Sequence, residues 1–170
     1  MERHKGRRKR LLVTLAGGGF FWETVALLSQ FDKRFCYHYL TTRPLPRSLE
    51  QLGIPKGTEH RVTSLTRLGR SLKRQAGEDL LRSLWEVGRV MRRVDPDVVI
   101  TVGSSLAVPL CLWARLMGRE TIFVESITRV TVPSRTGRIL DFFRLCDGLY
   151  VQWPESTGMY RNALYGGNVL

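Results

Sequence analysis

The chain is poor in the residues from which self-contained catalytic and metal sites are built, with three histidines and three cysteines among 170 residues. His4, His38 and His60 stand far apart in sequence, and Cys36, Cys111 and Cys146 form neither a CxxC nor a Cys/His pair, which excludes zinc-type spacing. An odd number of cysteines in hydrophobic surroundings reads as buried free thiols in a reducing compartment, not as a disulfide framework. No Ser-His-Asp arrangement and no paired-carboxylate motif is visible. Long apolar runs are also missing. Leu11 to Ala16 is short, dissolves into glycines and lacks a small-x-small cleavage site, so no signal peptide is expected. Leu106 to Ala114 contains Pro109 and stops at Arg115, short of the roughly 18 residues that span a bilayer.

Positive charge is what the chain has in excess. Lys and Arg number 27 against 15 Asp and Glu, a formal net charge of +12. That balance attracts an anionic partner: phospholipid head groups, a diphosphate-bearing substrate, nucleic acid or an acidic protein. Six of the first ten residues are basic (Arg3, Lys5, Arg7, Arg8, Lys9, Arg10), and a second cluster runs from Arg61 through Arg74 to Arg93. Basic residues beside apolar surface favour anionic membranes by ~1 kcal/mol each. No helix-turn-helix or RNA-binding signature accompanies the charge, so nucleic acid is not the expected partner. Residues 1–10 read as a basic arm. Residues 11–170, in a chain that is 43% hydrophobic, read as one globular domain.

Within that domain strand and helix patterns alternate. Leu11–Leu15 reads as a buried strand, Ala16-Gly17-Gly18-Gly19 as a tight turn, and Phe20–Phe31 as a helix. Phe35–Thr41 has strand composition, and the following Pro- and Gly-rich stretch is a long irregular connection. His60–Ser64 reads as a short strand. Leu80–Val94 reads as an amphipathic helix whose Leu80, Leu81, Leu84, Val87, Val90 and Met91 form a core-facing stripe with arginines outside. Asp95-Pro96-Asp97 stops it, because proline disfavours helix in the residue before it. Val98–Val102, a helix over Leu106–Met117 closed by Gly118, a strand at Thr121–Val124, a helix over Thr136–Leu145 and a last strand at Gly148–Val151 complete the pattern. The expected fold is α/β, a Rossmann-like parallel sheet with helices on both faces.

Parallel sheets bind ligands at the carboxyl ends of their strands, so Gly103-Ser104-Ser105 and Glu125-Ser126-Ile127-Thr128-Arg129 should line one crevice. Gly17, Gly18 and Gly19 can take positive φ and bring backbone N–H groups to an anion at a helix N-terminus. The triplet is neither a GxGxxG fingerprint nor a Walker loop, and it also serves as a structural turn. Ser104 or Ser105 is expected to cap the next helix, with ligand contact as an added role. Glu125 follows an apolar strand, where a carboxylate is costly to bury unpaired; Arg129, Arg135 or a substrate hydroxyl is its expected partner. Glu23 lies one turn into the first helix. The rings of Phe20, Phe21 and Trp22 are too large to bury on one helix face, so an aromatic tip should meet a lipid interface, a partner or the Pro-rich loop.

The segments Val124-Glu-Ser-Ile-Thr-Arg129, Gly137-Arg-Ile-Leu140, Tyr150-Val-Gln-Trp-Pro154 and Tyr165-Gly-Gly-Asn-Val169 resemble the Alg-fourteen family, which includes the bacterial exopolysaccharide subunits called PssD. The family's glycine-rich turn followed by His-Thr-x-Glu overlays Gly18 to Glu23, with Phe20 where the family has histidine. The resemblance implies the N-terminal, acceptor-side half of a split GT-B glycosyltransferase, similar also to the N-terminal half of the fused lipid II-forming transferase. It implies no cofactor, and a UDP-sugar donor held mainly by a partner subunit of the Alg-thirteen or PssE type. It implies a polyprenyl-diphosphate-linked sugar as acceptor and a peripheral position on the cytoplasmic face of an anionic membrane. Ending at Leu170 fits a half enzyme. The site residues so implied are Glu23 and Glu125 as catalytic groups. Gly17, Gly18, Gly19, Gly103, Ser104, Ser105, Ser126 and Arg129 would bind acceptor and diphosphate. Gln152, Trp153, Pro154, Gly166, Gly167 and Asn168 would meet the partner. A non-catalytic membrane adaptor is the alternative.

Overall fold

A computed structural model describes residues 7–63 and 73–170, the side chains of 73–80 excepted. Most of the basic arm, and the part of the second basic cluster at 64–72, lie outside the described residues. Among the described residues seven strands form one parallel sheet: β1 (Arg10–Leu15), β2 (Cys36–Thr41), β3 (Gly57–Arg61), β4 (Val98–Val102), β5 (Glu120–Val124), β6 (Gly148–Val151) and β7 (Ala163–Tyr165). Their spatial order is β3-β2-β1-β4-β5-β6-β7. The chain therefore builds outward on one side of β1 and then returns to β4 on the other. The gap between the carboxyl ends of β1 and β4 is the topological switch point, where doubly wound sheets hold ligands.

Alternation along the strands sorts the core into two layers. Leu11, Val13 and Leu15 point to one face with Tyr37, Tyr39, Val98 and Ile100, under helix α1 (Gly19–Ser29) and the 42–56 connection. Leu12, Leu40 and Val99 point to the other, under α2 (Lys73–Val94) and α3 (Ala107–Leu116). Further along that face, Phe123, Leu149 and Val151 lie under α3 and α4 (Arg135–Phe142). The Rossmann-like parallel sheet is as expected, but the first face is not covered throughout. Tyr150 is only half-buried and Leu164 is exposed.

Three readings need correction. The third strand starts at Gly57, three residues before His60, because it pairs with β2 in the register Tyr37↔Gly57 to Thr41↔Arg61. A Cβ at Gly57 would stand 2.6 Å from both the Tyr37 carbonyl oxygen and the Tyr39 ring, so only glycine opens the strand there. On α2, Val87 and Met91 face the core, whereas Leu81 and Trp85 point outward; Leu80 lies among the side chains outside the description. Cys111 is buried and Cys146 partly so, but Cys36 is exposed at the start of β2. β7 was not legible, since three residues between an asparagine and two glycines carry no period. Among the described residues no helix is long and apolar enough to cross a membrane.

Candidate functional site

The carboxyl edge of the sheet is assembled from five loops. After β1, Gly17, Gly18 and Gly19 are exposed, and Gly18 has φ 85°, a conformation that suits only glycine, as the chain turns into α1. Opposite them the Pro-rich connection folds back. A cavity of about 540 Å³ lies between, lined by the three glycines, Trp22, Arg43 and Pro44. Trp22 is half exposed and packs edge-on against Phe21, with ring centroids 5.1 Å apart. A glycine turn, an arginine and a tryptophan therefore line one space.

At the switch point Phe20 covers Gly103. Gly103 has φ 54°, and a Cβ there would stand 2.5 Å from the Phe20 ring, so the ring lies directly on the backbone after β4. Ser104 is buried and its Oγ accepts from Leu106 N at 3.2 Å, a turn bond ahead of the helix. The N-cap of α3 is Leu106, without a side-chain cap bond, so neither Ser104 nor the exposed Ser105 caps α3 as the sequence led one to expect. Phe20 stands at the sequence position that the resemblance gives to a histidine, and its ring fills the space beside the loop.

Both glutamates lie beneath the crevice surface. Glu23 is 3% and Glu125 1% exposed. Glu23 accepts from Ser126 Oγ at 2.7 Å, Ile127 N at 3.0 Å and Gln152 Nε2 at 2.9 Å. Glu125 accepts from Ser126 N at 2.9 Å, from Ser134 Oγ at 2.7 Å and N at 3.2 Å, and from the Tyr160 hydroxyl. Neither Arg129 nor Arg135 partners Glu125, in contrast to the sequence expectation. Among the described residues only neutral N–H and O–H donors meet the two carboxyl groups, so their buried oxygens are satisfied by hydrogen bonds and not by an ion pair. Burial first, and the bond to Glu125 second, raise the Tyr160 pKa well above the ordinary phenol value, so the phenol stays a donor. Gly137 leaves the room, because a Cβ there would stand 2.5 Å from Tyr160 Oη and 2.7 Å from Glu125 Oε2.

These bonds fasten the 126–134 loop at both ends. Glu23 holds Ser126 and Ile127; Glu125 holds Ser134, whose Oγ also accepts from Gly137 N at 2.9 Å as the N-cap of α4. Between the ends, Trp153 Nε1 donates to Ile127 O at 2.7 Å and Ser156 Oγ to Val130 O at 2.9 Å. Arg129 is exposed on the loop so held. Gln152 is 2% exposed, so it is an internal clasp and not a surface for a partner. Its amide nitrogen donates to Glu23 and, at 3.0 Å, to Glu125 O, while its oxygen accepts from Val169 N at 3.1 Å. Two acceptors on one side and a donor on the other fix the amide orientation. Trp153 is half-buried, whereas Pro154, Gly166 and Asn168 are exposed beside it and Gly167 turns the tail at φ 89°.

The sequence reading missed Ser134, Tyr160 and Arg43. Ser134 stands where an N-cap belongs before Arg135, a signal that was present; Tyr160 and Arg43 carry none. His38 and His60, distant in sequence, meet across β2 and β3 with Nδ1 and Nε2 3.1 Å apart.

Comparisons with known proteins agree with this architecture. The family described as "Oligosaccharide biosynthesis protein Alg14 like" matches residues 11–169. The UDP-N-acetylglucosamine transferase subunit ALG14 of Rattus norvegicus is 35% identical over 180 aligned positions, covering 94% of this chain and 82% of the relative. A UDP-N-acetylglucosamine–N-acetylmuramyl-(pentapeptide) pyrophosphoryl-undecaprenol N-acetylglucosamine transferase of Chromohalobacter salexigens is 30% identical, but the match covers 72% of this chain and only 36% of that protein. Among solved structures, Acinetobacter baumannii MurG superposes with a TM-score of 0.70 at 21% identity, over 94% of this chain and 45% of that one. A UDP-GlcNAc 2-epimerase of Methanocaldococcus jannaschii gives 0.65 at 17% identity and covers a similar share. These likenesses show the Rossmann-like fold; the chain spans under half the length of either solved protein. The chain belongs to the Alg14-like family.

Proposed function

We propose that this member of the Alg14-like family is the acceptor-binding half of a two-component UDP-glycosyltransferase that works on a polyprenyl-diphosphate-linked sugar at a membrane surface, in polysaccharide or lipid-linked oligosaccharide synthesis. One observation carries the reading. The chain forms a single Rossmann-like domain that matches 94% of itself but 45% of MurG, and its carboxyl edge presents a fastened loop beside a glycine turn. The names of the rat relative and of the pentapeptide transferase supply the chemistry, UDP-N-acetylglucosamine as donor and a pyrophosphoryl lipid as acceptor.

In this reading the exposed N–H groups of Gly17–Gly19 and the guanidinium of Arg43 meet the diphosphate, where a helix N-terminus favours negative charge. Trp22, Ser105 and Arg129 face the sugar, and Gly103 and Ser104 shape the floor beneath it. Glu23, Glu125 and Ser126 act on the acceptor through the loop they hold, since their own oxygens are occupied. The UDP-sugar lies mainly on the partner, which meets this chain at Trp153, Pro154, Gly166, Gly167 and Asn168. The reaction is transfer of the sugar from UDP to an acceptor hydroxyl, favoured by donors already aimed at charge. Peripheral attachment draws on the basic arm and on the outer face of α2, where Leu81 and Trp85 are exposed and the Arg89 guanidinium lies 5.6 Å from the Trp85 ring.

The test is reconstitution. The chain, its co-expressed donor-binding partner, a short-chain polyprenyl-diphosphate sugar and a panel of UDP-sugars are combined, and transfer is followed with each component omitted. The reading expects transfer by the pair only. Full transfer by this chain alone would overturn the division of labour.

A second reading, a non-catalytic adaptor that only anchors its partner, is favoured by Phe20 on Gly103 and by the saturation of both buried carboxylates. Stable pairing without transfer from any UDP-sugar would establish it.

A further inference from the structure

We propose that the outer face of α4 and the residues after it form a second lipid-docking surface, which seats the domain on anionic phospholipid through Ile139, Phe142 and Phe143. It rests on the membrane-attached part of the reading above and not on the transfer itself.

α4 is apolar on two sides. Gly137 and Leu140 face the core, with Leu140 fully buried against Phe123 and the β6 strand. Ile139, Phe142 and Phe143 point away from it, 40%, 65% and 60% exposed. The two phenyl rings stand edge to face with centroids 4.9 Å apart, so they form one aromatic tip and not two scattered side chains. Beside the tip runs a shallow cavity of about 510 Å³, lined by Pro133, Ile139, Phe142, Met159 and Tyr160 with Arg135 and Arg138 at its margin. Contiguous exposed apolar surface rimmed by charge marks an interaction site in a protein of this size.

The charge around the tip selects the occupant. Arg135, Arg138, Arg144 and Arg161 surround it, all four exposed, and among the described residues none has a carboxylate within ion-pair distance. Asp141, the one acid in the patch, accepts from the Arg161 backbone N–H at 3.1 Å. The Arg161 guanidinium lies 5.9 Å from the Phe142 ring centroid, next to the apolar tip yet open to solvent. Protein interfaces deplete charge at their apolar core, whereas interfacial membrane contacts combine buried aromatics with a ring of basic residues that reach the head groups. The patch has the second composition, and its commitment is to an anionic lipid surface.

Flotation of the full chain with two sets of vesicles, phosphatidylcholine alone and equal parts phosphatidylcholine and phosphatidylglycerol, tests this without any sugar or partner. Three proteins are compared: the unaltered chain, Phe142→Ser with Phe143→Ser, and Arg135→Glu with Arg138→Glu. All altered residues are exposed, and circular dichroism checks that each fold is kept. The expected result is preference of the unaltered chain for the mixed vesicles and at least about a tenfold loss with the phenylalanine pair removed, as two interfacial aromatic side chains imply. The arginine pair should weaken the preference for anionic lipid, part of which the basic arm and α2 retain. Unchanged binding of both variants would overturn the proposal, as would absence of binding by the unaltered chain. A shift from dimer to monomer in the phenylalanine variant with vesicle binding intact would also overturn it, giving the patch to a second copy. Failure of the transfer reconstitution leaves the vesicle result standing, so the two readings fail separately.

Discussion

At the amino edge of the sheet Asp95 meets Arg10 and Arg119, each at 2.5 Å, and Asp97 accepts from Arg10 N at 2.7 Å; at the carboxyl edge Glu23 and Glu125 meet no cation among the described residues. The first pairs are partly open to water, with Asp95 40% exposed at its side chain, so solvent shares the work of stabilising the charge. The carboxylates at the other end are sealed and depend on oriented N–H and O–H groups of the protein. Ion pairs tie strand ends together and do little else. Buried carboxylates solvated by a loop dictate the shape of that loop, which is the property a binding edge requires.

Removing one partner at each edge should break the symmetry of this comparison. Glu125→Ala leaves the Ser134 and Tyr160 hydroxyls and two backbone N–H groups without their acceptor, at a cost of about 4 kcal/mol. Urea unfolding monitored by tryptophan fluorescence reads that loss as a lower midpoint. Gln152→Leu unclasps α1, β5 and the tail at once and should cost about 2 kcal/mol. Its specific signature is faster amide exchange at Val169, with exchange in β2 unaltered. Asp95→Asn at the opposite edge should cost no more than about 1 kcal/mol, since half-exposed pairs are screened. A larger loss there than at Glu125 would reverse the ranking.

The smallest effect is a pH dependence. Burial, more than the nearby Arg10 or Arg93, lowers the pKa of His38 and His60 below the ordinary 6.5. The folded pair then binds protons less readily than the unfolded chain. Its contribution is therefore fully present above pH 6.5 and is lost as the pH falls through that value toward the lower folded pKa. The melting temperature should drop slightly over that interval in the native chain, and the drop should shrink in His38→Gln with His60→Gln.

Much of the fold was legible because each buried strand is short and continuous and is followed by a turn or cap: Leu11–Leu15 before the glycines, Val98–Val102 after Asp95-Pro96-Asp97. What escaped were features set by pairing and not by pattern. β3 starts at Gly57 because the Tyr37 carbonyl and the Tyr39 ring demand a residue without a side chain, a constraint that exists only once β2 is beside it. The crevice loops were placed correctly at the carboxyl edge, and Glu23 and Glu125 were singled out. Their partners were not foreseeable, since the donors that meet them come from Ser126, Ser134, Gln152 and Tyr160, up to 129 residues away in sequence. Leu81 was half legible: the period showed a helix, and whether Leu81 turned to the core depended on where α3 settles.

The most direct test of the division between acceptor and donor halves is equilibrium binding by the isolated chain of two labelled ligands, a short-chain polyprenyl-diphosphate sugar and UDP-N-acetylglucosamine. The account predicts saturable binding of the diphosphate lipid, weakened when Arg43 is replaced by Ala, and no saturable binding of the nucleotide sugar. Saturable binding of UDP-N-acetylglucosamine with none of the lipid would contradict it, and would place the donor site on this chain.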